Sequence, residues 1–240
     1  MKYEELGGGF IKKREKRVVG LFIDGTGLDR ATRRINRKVD MSALVRGVTS
    51  GLTPVVARYY TLIPYEDDSR QRAFLDAVAR AGLTVIVKRL PPKGITRQVS
   101  VDLEMAADIV AFSLGLSSFS KENEYMPAEQ FPRASAAMAA PASQPVANFG
   151  RRKSPAPAAA PAAATDSGDR ALLARDADLS AQRSIVVVCP SRELAYPLGM
   201  VKDLGCDTTS ADFGQFNTGD VLKSAAKWID LSDSETIWRD

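Results

Sequence analysis

Short, continuous apolar runs closed by turn residues are the feature that most constrains this chain. Residues 18–23 read VVGLFI and stop at Asp24-Gly25. Residues 55–62 read VVARYYTL and stop before Pro64, and residues 84–90 read TVIVKRL and meet Pro91-Pro92. Residues 184–189 read SIVVVC. Runs of this length, rich in β-branched residues and with little alternation, suit strands covered on both faces, which is the habit of parallel sheets. Between them lie segments of helical period. One covers 41–52 with Asp40 or Ser42 as cap, and another covers 70–81 behind Asp67, Asp68 and Ser69. In the latter, Ala73, Phe74, Ala77, Val78 and Ala81 make one apolar stripe that Gly82 ends. Further helices are expected over 102–114, over 193–204 and, last, over 220–229, with a shorter polar strand at 206–211. The order β-α-β-α-β-α predicts an α/β fold, a doubly wound, mainly parallel sheet with helices on both faces.

Composition divides the chain further. Residues 1–17 are a basic, Gly-containing lead-in, and 117–183 are rich in Ala, Pro and Ser. Proline at such spacing defeats the helix that alanine alone favours, so this stretch reads as a disordered insertion. The expected domain is therefore built from 18–116 and 184–240 around that insert. The insert's Arg151-Arg152-Lys153 cluster reads as a solvated charge run. No run is long and apolar enough for a signal peptide or a membrane span, so a cytoplasmic location is expected.

Histidine is absent, and this count removes whole classes of chemistry. Ser-His-Asp and Cys-His catalysis and histidine-ligated metals are excluded. A catalytic metal would be a hard cation on oxygen ligands, Mg²⁺ or Mn²⁺. The two cysteines, Cys189 and Cys206, are too few for a disulfide framework and read as buried thiols. A net charge of +4 from 33 basic and 29 acidic residues permits a polyanionic partner without requiring one.

In an open parallel sheet, functional groups gather outside the carboxyl ends of the strands. Asp24 closes the first strand, Asp102 and Asp108 lie at the start and middle of the third helix, and Glu193 follows the fourth strand. Carboxylates brought together there repel unless a cation lies between them. Asp102 and Asp108 are six apart, roughly 120° around an ideal helix, and converge only if Asp102 sits at the cap. Glu104 and Asp108 form a like-charged i,i+4 pair that a cation or an arginine would relieve. Two other readings of FIDGTG fail. Phe22 stands where a phosphatase nucleophile is needed, and Arg30 stands where a dinucleotide loop needs its third glycine.

These residues resemble the NYN family of PIN-like nucleases, of the kind found in LabA-like proteins. Asp24-Gly25 after an apolar strand matches the first motif of that family, Val101-Asp102 and Asp108 the second, and Gly205 the helix-end glycine after the last. The sequence departs from the pattern at Gly27, where an asparagine is usual. It departs again at Cys189-Pro190-Ser191-Arg192-Glu193-Leu194, where Ser191 replaces one aspartate, Glu193 replaces another and Arg192 adds a positive charge. The resemblance implies a PIN-like, Rossmann-like fold and a metal-dependent ribonuclease. Asp24, Asp102 and Asp108 would hold Mg²⁺ or Mn²⁺, with Glu193 as an outer ligand. It also implies an RNA partner, single-stranded, whose backbone Arg33, Arg34, Arg37, Lys38, Lys93 and Arg97 would grip. The alternative is an RNA-binding or regulatory protein that kept the fold and lost catalysis. A protein partner or a homodimer is left open by the composition of the insert.

Overall fold

A computed structural model describes residues 17–66, 69–116, 119–127, 181–214 and 219–239. The elements run β1 (Arg17–Asp24), α1 (Gly25–Ile35), α2 (Met41–Val48), β2 (Val56–Ile63), α3 (Ser69–Arg80), β3 (Thr84–Arg89) and α4 (Asp102–Ser113). They continue with β4 (Gln182–Val188), a 3₁₀ turn (Arg192–Leu194), α5 (Ala195–Asp203), β5 (Asp207–Asp212), α6 (Gly219–Ser224) and β6 (Lys227–Asp230). The six strands form one sheet in the order β3-β2-β1-β4-β5-β6, and every neighbouring pair is parallel. The chain thus winds outward from β1 in one direction, returns, and winds outward in the other. That reversal places a crevice at the carboxyl ends of β1 and β4.

The central strands carry the apolar runs for a simple reason. β1 is buried at every position after Arg17, because helices cover it on both sides. Its residues alternate between two cores. Val19, Leu21 and Ile23 join Leu28 and Ala31 of α1, Leu44 and Val48 of α2, and Leu75 and Val78 of α3. Val18 and Phe22 join Met105, Ile109 and Phe112 of α4, Leu198 and Val201 of α5, and Val221 of α6. Burial of each such Leu, Ile, Val or Phe contributes about 1.5–3 kcal/mol, so this sandwich is what fixes the strand order.

Several sequence expectations shift here. Residues 25–35 form a helix that periodicity did not announce. Its polar, Arg-rich composition hides a short apolar stripe of Leu28, Ala31 and half-buried Ile35, and it is begun by Asp24, whose carboxylate accepts the Gly27 N–H at 2.9 Å. The last helix stops at Ser224, and residues 227–230 extend the sheet as β6. On α3 the buried residues are Leu75 and Val78, while Phe74 is 45% exposed. Both cysteines are free and buried.

Part of the stretch read as an insertion is ordered against the sheet. Val87 N–H bonds to Asn123 O at 2.8 Å and Tyr125 N–H to Val85 O at 2.8 Å, so residues 119–127 cover the β3 edge. At its other end β4 begins already at Gln182. The lead-in at 1–16, residues 128–180 of the expected insert, and with them Arg151-Arg152-Lys153, lie outside the described residues.

Candidate functional site

At the crevice a cleft of about 460 Å³ opens. Asp24, Thr26, Gly27, Arg30 and Arg34 line it from the end of β1 and from α1, and Ser100 and Asp102 from the start of α4. Ser191, Arg192 and Glu193 reach it from the turn after β4, and Asp212 from the end of β5. Four carboxylates from four separate elements therefore face one space.

Asp24 is held at its base. Its side chain is 5% exposed and accepts the Gly27 N–H, so the carboxylate both caps α1 and looks into the cleft. Burial, with the negative charge of Asp102 added, pushes its pKa from 3.8 up to about 6; the backbone N–H groups of Gly27 and Thr26 and the Arg30 guanidinium pull the other way.

The two glycines beside Asp24 are demanded by close approach. A Cβ on Gly25 would lie 2.5 Å or less from the Tyr59 ring carbons and hydroxyl. A Cβ on Gly27 would lie 2.4 Å from the Cys189 carbonyl oxygen and 2.9 Å from Asp24 Oδ2. The departure from asparagine at position 27 is thus explained by the backbone at Cys189, which takes φ 50° and leaves no room for a side chain.

Asp102 is the first residue of α4, where a negative charge suits the helix dipole. Ser191 Oγ donates to Asp102 Oδ1 at 2.6 Å, the Ser100 hydroxyl donates to Oδ2, and Ser100 Oγ accepts the Asp102 N–H at 2.9 Å. Ser191 therefore orients the carboxylate of Asp102. Arg192 is drawn aside by an ion pair with Asp220 at 2.9 Å, so its charge is answered there. Glu193 sits exposed at the rim.

Asp108 is not brought to the cleft. One turn and a half further along α4, it faces β2, where Arg58 Nη1 reaches Asp108 Oδ2 at 2.6 Å and the Tyr60 hydroxyl donates to the same oxygen at 2.6 Å. Arg58 Nη2 also donates to Ser120 O at 3.1 Å, and the guanidinium lies 5.0 Å from the Phe119 ring. Burial raises the Asp108 pKa despite these donors and raises that of Tyr60 as well, which keeps the phenol protonated. The like-charged pair is relieved twice, since Lys88 Nζ meets Glu104 at 2.6 Å.

Asp212 is the carboxylate the sequence did not single out. It accepts the Phe213 N–H at 2.7 Å and a hydrogen bond from the Cys189 thiol, and burial raises its pKa. The only available signal was its place directly after the strand expected at 206–211, which in the structure runs to Asp212 itself.

The expected RNA-contacting residues divide in three. Arg34 lines the cleft, with Arg30 one turn before it. Arg33, Arg37 and Lys38 line a different pocket on the far side of α1. Lys93 and Arg97 are exposed on the loop that leads to Gln98–Val101 at the cleft wall.

The cleft's donors suit a hard divalent cation. The carboxylates and hydroxyls facing it offer oxygen, and Thr26 Oγ1 is buried without a hydrogen-bond partner among the described residues. No three Asp, Glu or Cys side chains among the described residues gather closely enough to cage an ion unaided. Mg²⁺ is commonly held by one or two carboxylates while keeping several waters, so Asp24 and Asp102 meet that need.

An acidic cleft at the switch point of a doubly wound parallel sheet defines the class, an α/β protein whose separate strands deliver carboxylates to one place. Residues 18–116 match the family model of the NYN domain, a group with the PIN-like nuclease fold. Members of that group generally use divalent metals and act in RNA-related roles. The crystal structure of a protein of unknown function from Vibrio parahaemolyticus is similar in fold, with a TM-score of 0.57 over 95% of this chain and 98% of that one at 8% identity. No curated protein sequence matches the chain. Among the described residues no helix is long and apolar enough to cross a membrane.

Proposed function

We propose that the chain is a LabA-like NYN protein that hydrolyses phosphodiester bonds of single-stranded RNA in this cleft, with Asp24 and Asp102 holding Mg²⁺ or Mn²⁺. The observation that carries the reading is the placing of Asp24 and Asp102 on one cleft lined by oxygen donors, where burial, with the charge of Asp102 added, pushes the Asp24 pKa up to about 6. Burying like charges together is unfavourable by itself, and a divalent cation between them turns the repulsion into binding.

A cation held there supplies charge neutralisation at the phosphate and a more acidic bound water. The chain's residues do the rest. Ser100 and Ser191 hold Asp102 in one orientation, and the α1 N-terminus holds Asp24. Arg30 and Arg34 stand on the cleft wall where they meet the phosphate backbone. Glu193 and Asp212 accept hydrogen bonds from water at the opposite wall. In this reading Asp108 is a structural pin that ties α4 to β2 through Arg58 and Tyr60.

Ser191 in place of a family aspartate favours a second reading, an RNA-binding protein without catalysis. Cleavage of labelled single-stranded RNA with added Mn²⁺ separates the two. Wild type is expected to cleave, with activity lost on chelation and in Asp24→Asn and Asp102→Asn. A folded wild type that binds RNA and never cuts it, whichever metal is supplied, leaves the second reading standing.

A further inference from the structure

The side of α1 facing away from the cleft carries a second pocket, of about 500 Å³. Its floor is apolar, from Leu28, Val39, Met41 and buried Tyr59, and one wall is the half-exposed ring of Phe74. Phe74 meets the Tyr59 ring edge-on, with centroids 6.3 Å apart, which holds the exposed face in place. The rim is cationic. Arg33, Arg37, Lys38 and Arg239 stand around it against one acid among the described residues, Asp29, which Arg33 binds at 2.9 and 3.0 Å.

The rim is also built. Arg37 lies 4.1 Å over the Trp238 ring, and Arg239 N–H donates to Lys38 O at 2.9 Å. A bridge between Val39 and Trp238 fixes the C-terminal tail beside the α1–α2 loop. An exposed aromatic face over an apolar floor, ringed by guanidinium and ammonium groups, matches one nucleotide. The base stacks on the ring, and its flanking phosphates meet the cations. A protein helix would leave the rim charges unanswered, and a duplex keeps its bases stacked inside.

We infer that this pocket is a nucleotide subsite for single-stranded RNA, taking one unstacked base against Phe74 and its phosphates against Arg37, Lys38 and Arg239. The inference rests on RNA being the ligand of the cleft. With α1 roughly 10–12 Å across, the cleft and the pocket lie within a few nucleotides of each other on one strand. Arg30 and Arg34 face the cleft and Arg33 the pocket, so the helix offers a basic ridge between the two, which Arg37 extends just past its end.

The test is fluorescence anisotropy of a short labelled oligouridylate with the whole chain, metal-free so that binding is read without cleavage. Phe74→Ala is expected to weaken binding about ten-fold and Phe74→Tyr to keep it near wild type, because the tyrosine preserves the stacking face. Arg37→Gln and Arg239→Gln are each expected to weaken binding and to lower the slope of log affinity against log salt by roughly 0.7. Asp24→Asn serves as the control that removes cleavage without touching the pocket.

Binding that is unchanged in Phe74→Ala, or lowered only by the charge variants, overturns the base pocket. So does a folded wild type that binds no oligouridylate. The two proposals fail separately. Cleavage with unchanged Phe74→Ala binding defeats the subsite alone, and Phe74-dependent binding without cleavage defeats the nuclease alone.

Discussion

The two sides of α1 use the same helix for opposite ends. On one side the helix shows Arg30 and Arg34 to a cleft holding Asp24, Asp102, Glu193 and Asp212; on the other it shows Arg33 to a pocket with a cationic rim and an apolar floor. The cleft is costly to build, since burial raises the pKa of both Asp24 and Asp212. The pocket needs no such strain, for its charges are exposed and its aromatic wall leans on Tyr59. Unfavourable electrostatics in one place and comfortable electrostatics in the other is the pattern expected where one site does chemistry and the other only binds.

That contrast can be broken experimentally, and the cleft gives the largest effect. Asp24→Asn and Asp102→Asn should each lower the rate of RNA cleavage at least 100-fold, about 3 kcal/mol or more in the barrier, with oligonucleotide binding largely kept. Equal losses of binding and cleavage would erase the distinction between the sites.

Asp108 tests the boundary of the cleft. Removing it leaves Arg58 charged and nearly buried, so Asp108→Ala should cost about 3 kcal/mol in urea unfolding. The folded fraction should keep most of its metal-dependent activity. Activity lost without loss of stability would return Asp108 to the metal site.

The buried acid gives a pH signature. Asp24 titrates at about 6 in the folded chain against 3.8 as its ordinary value, so between those values the folded state binds more protons than the unfolded. Stability of the metal-free protein therefore falls as pH rises through this window, and above about 6 the destabilisation is complete. Asp24→Asn should then be more stable than wild type at neutral pH by on the order of 2 kcal/mol, and the advantage should vanish below about pH 4. Thermal unfolding in chelator reads this directly, and a constant difference across pH would contradict the assignment. The smallest effect belongs to the cleft wall. Arg34→Gln should lower the salt slope of RNA binding by roughly 0.7 and change affinity a few-fold.

How much of this was legible in the sequence depends on the range of the forces involved. The four strands with apolar runs could be read because a strand covered on both faces must be apolar throughout, and that rule acts on neighbouring residues. β6 could not, because Lys-Trp-Ile-Asp is an exposed edge of four residues that its pairing with β5 alone makes a strand. The α1 helix was hidden by its glycines and arginines and depends on a cap and on two buried side chains.

By itself, the sequence determined the doubly wound plan, the exclusion of histidine chemistry, and Asp24 at the end of the first strand. Only the tertiary structure decided which carboxylates meet. Strand register carries Asp212 to the cleft, helix azimuth turns Asp108 away to Arg58, and the close passage of the Cys189 backbone forbids a side chain at Gly27. The docking of the C-terminal tail likewise completes the rim around Phe74. Local periodicity constrains what a residue is buried against only within a turn or a pleat. Contacts between residues far apart in the chain follow from how whole elements pack, and the cleft and the pocket are both made of such contacts.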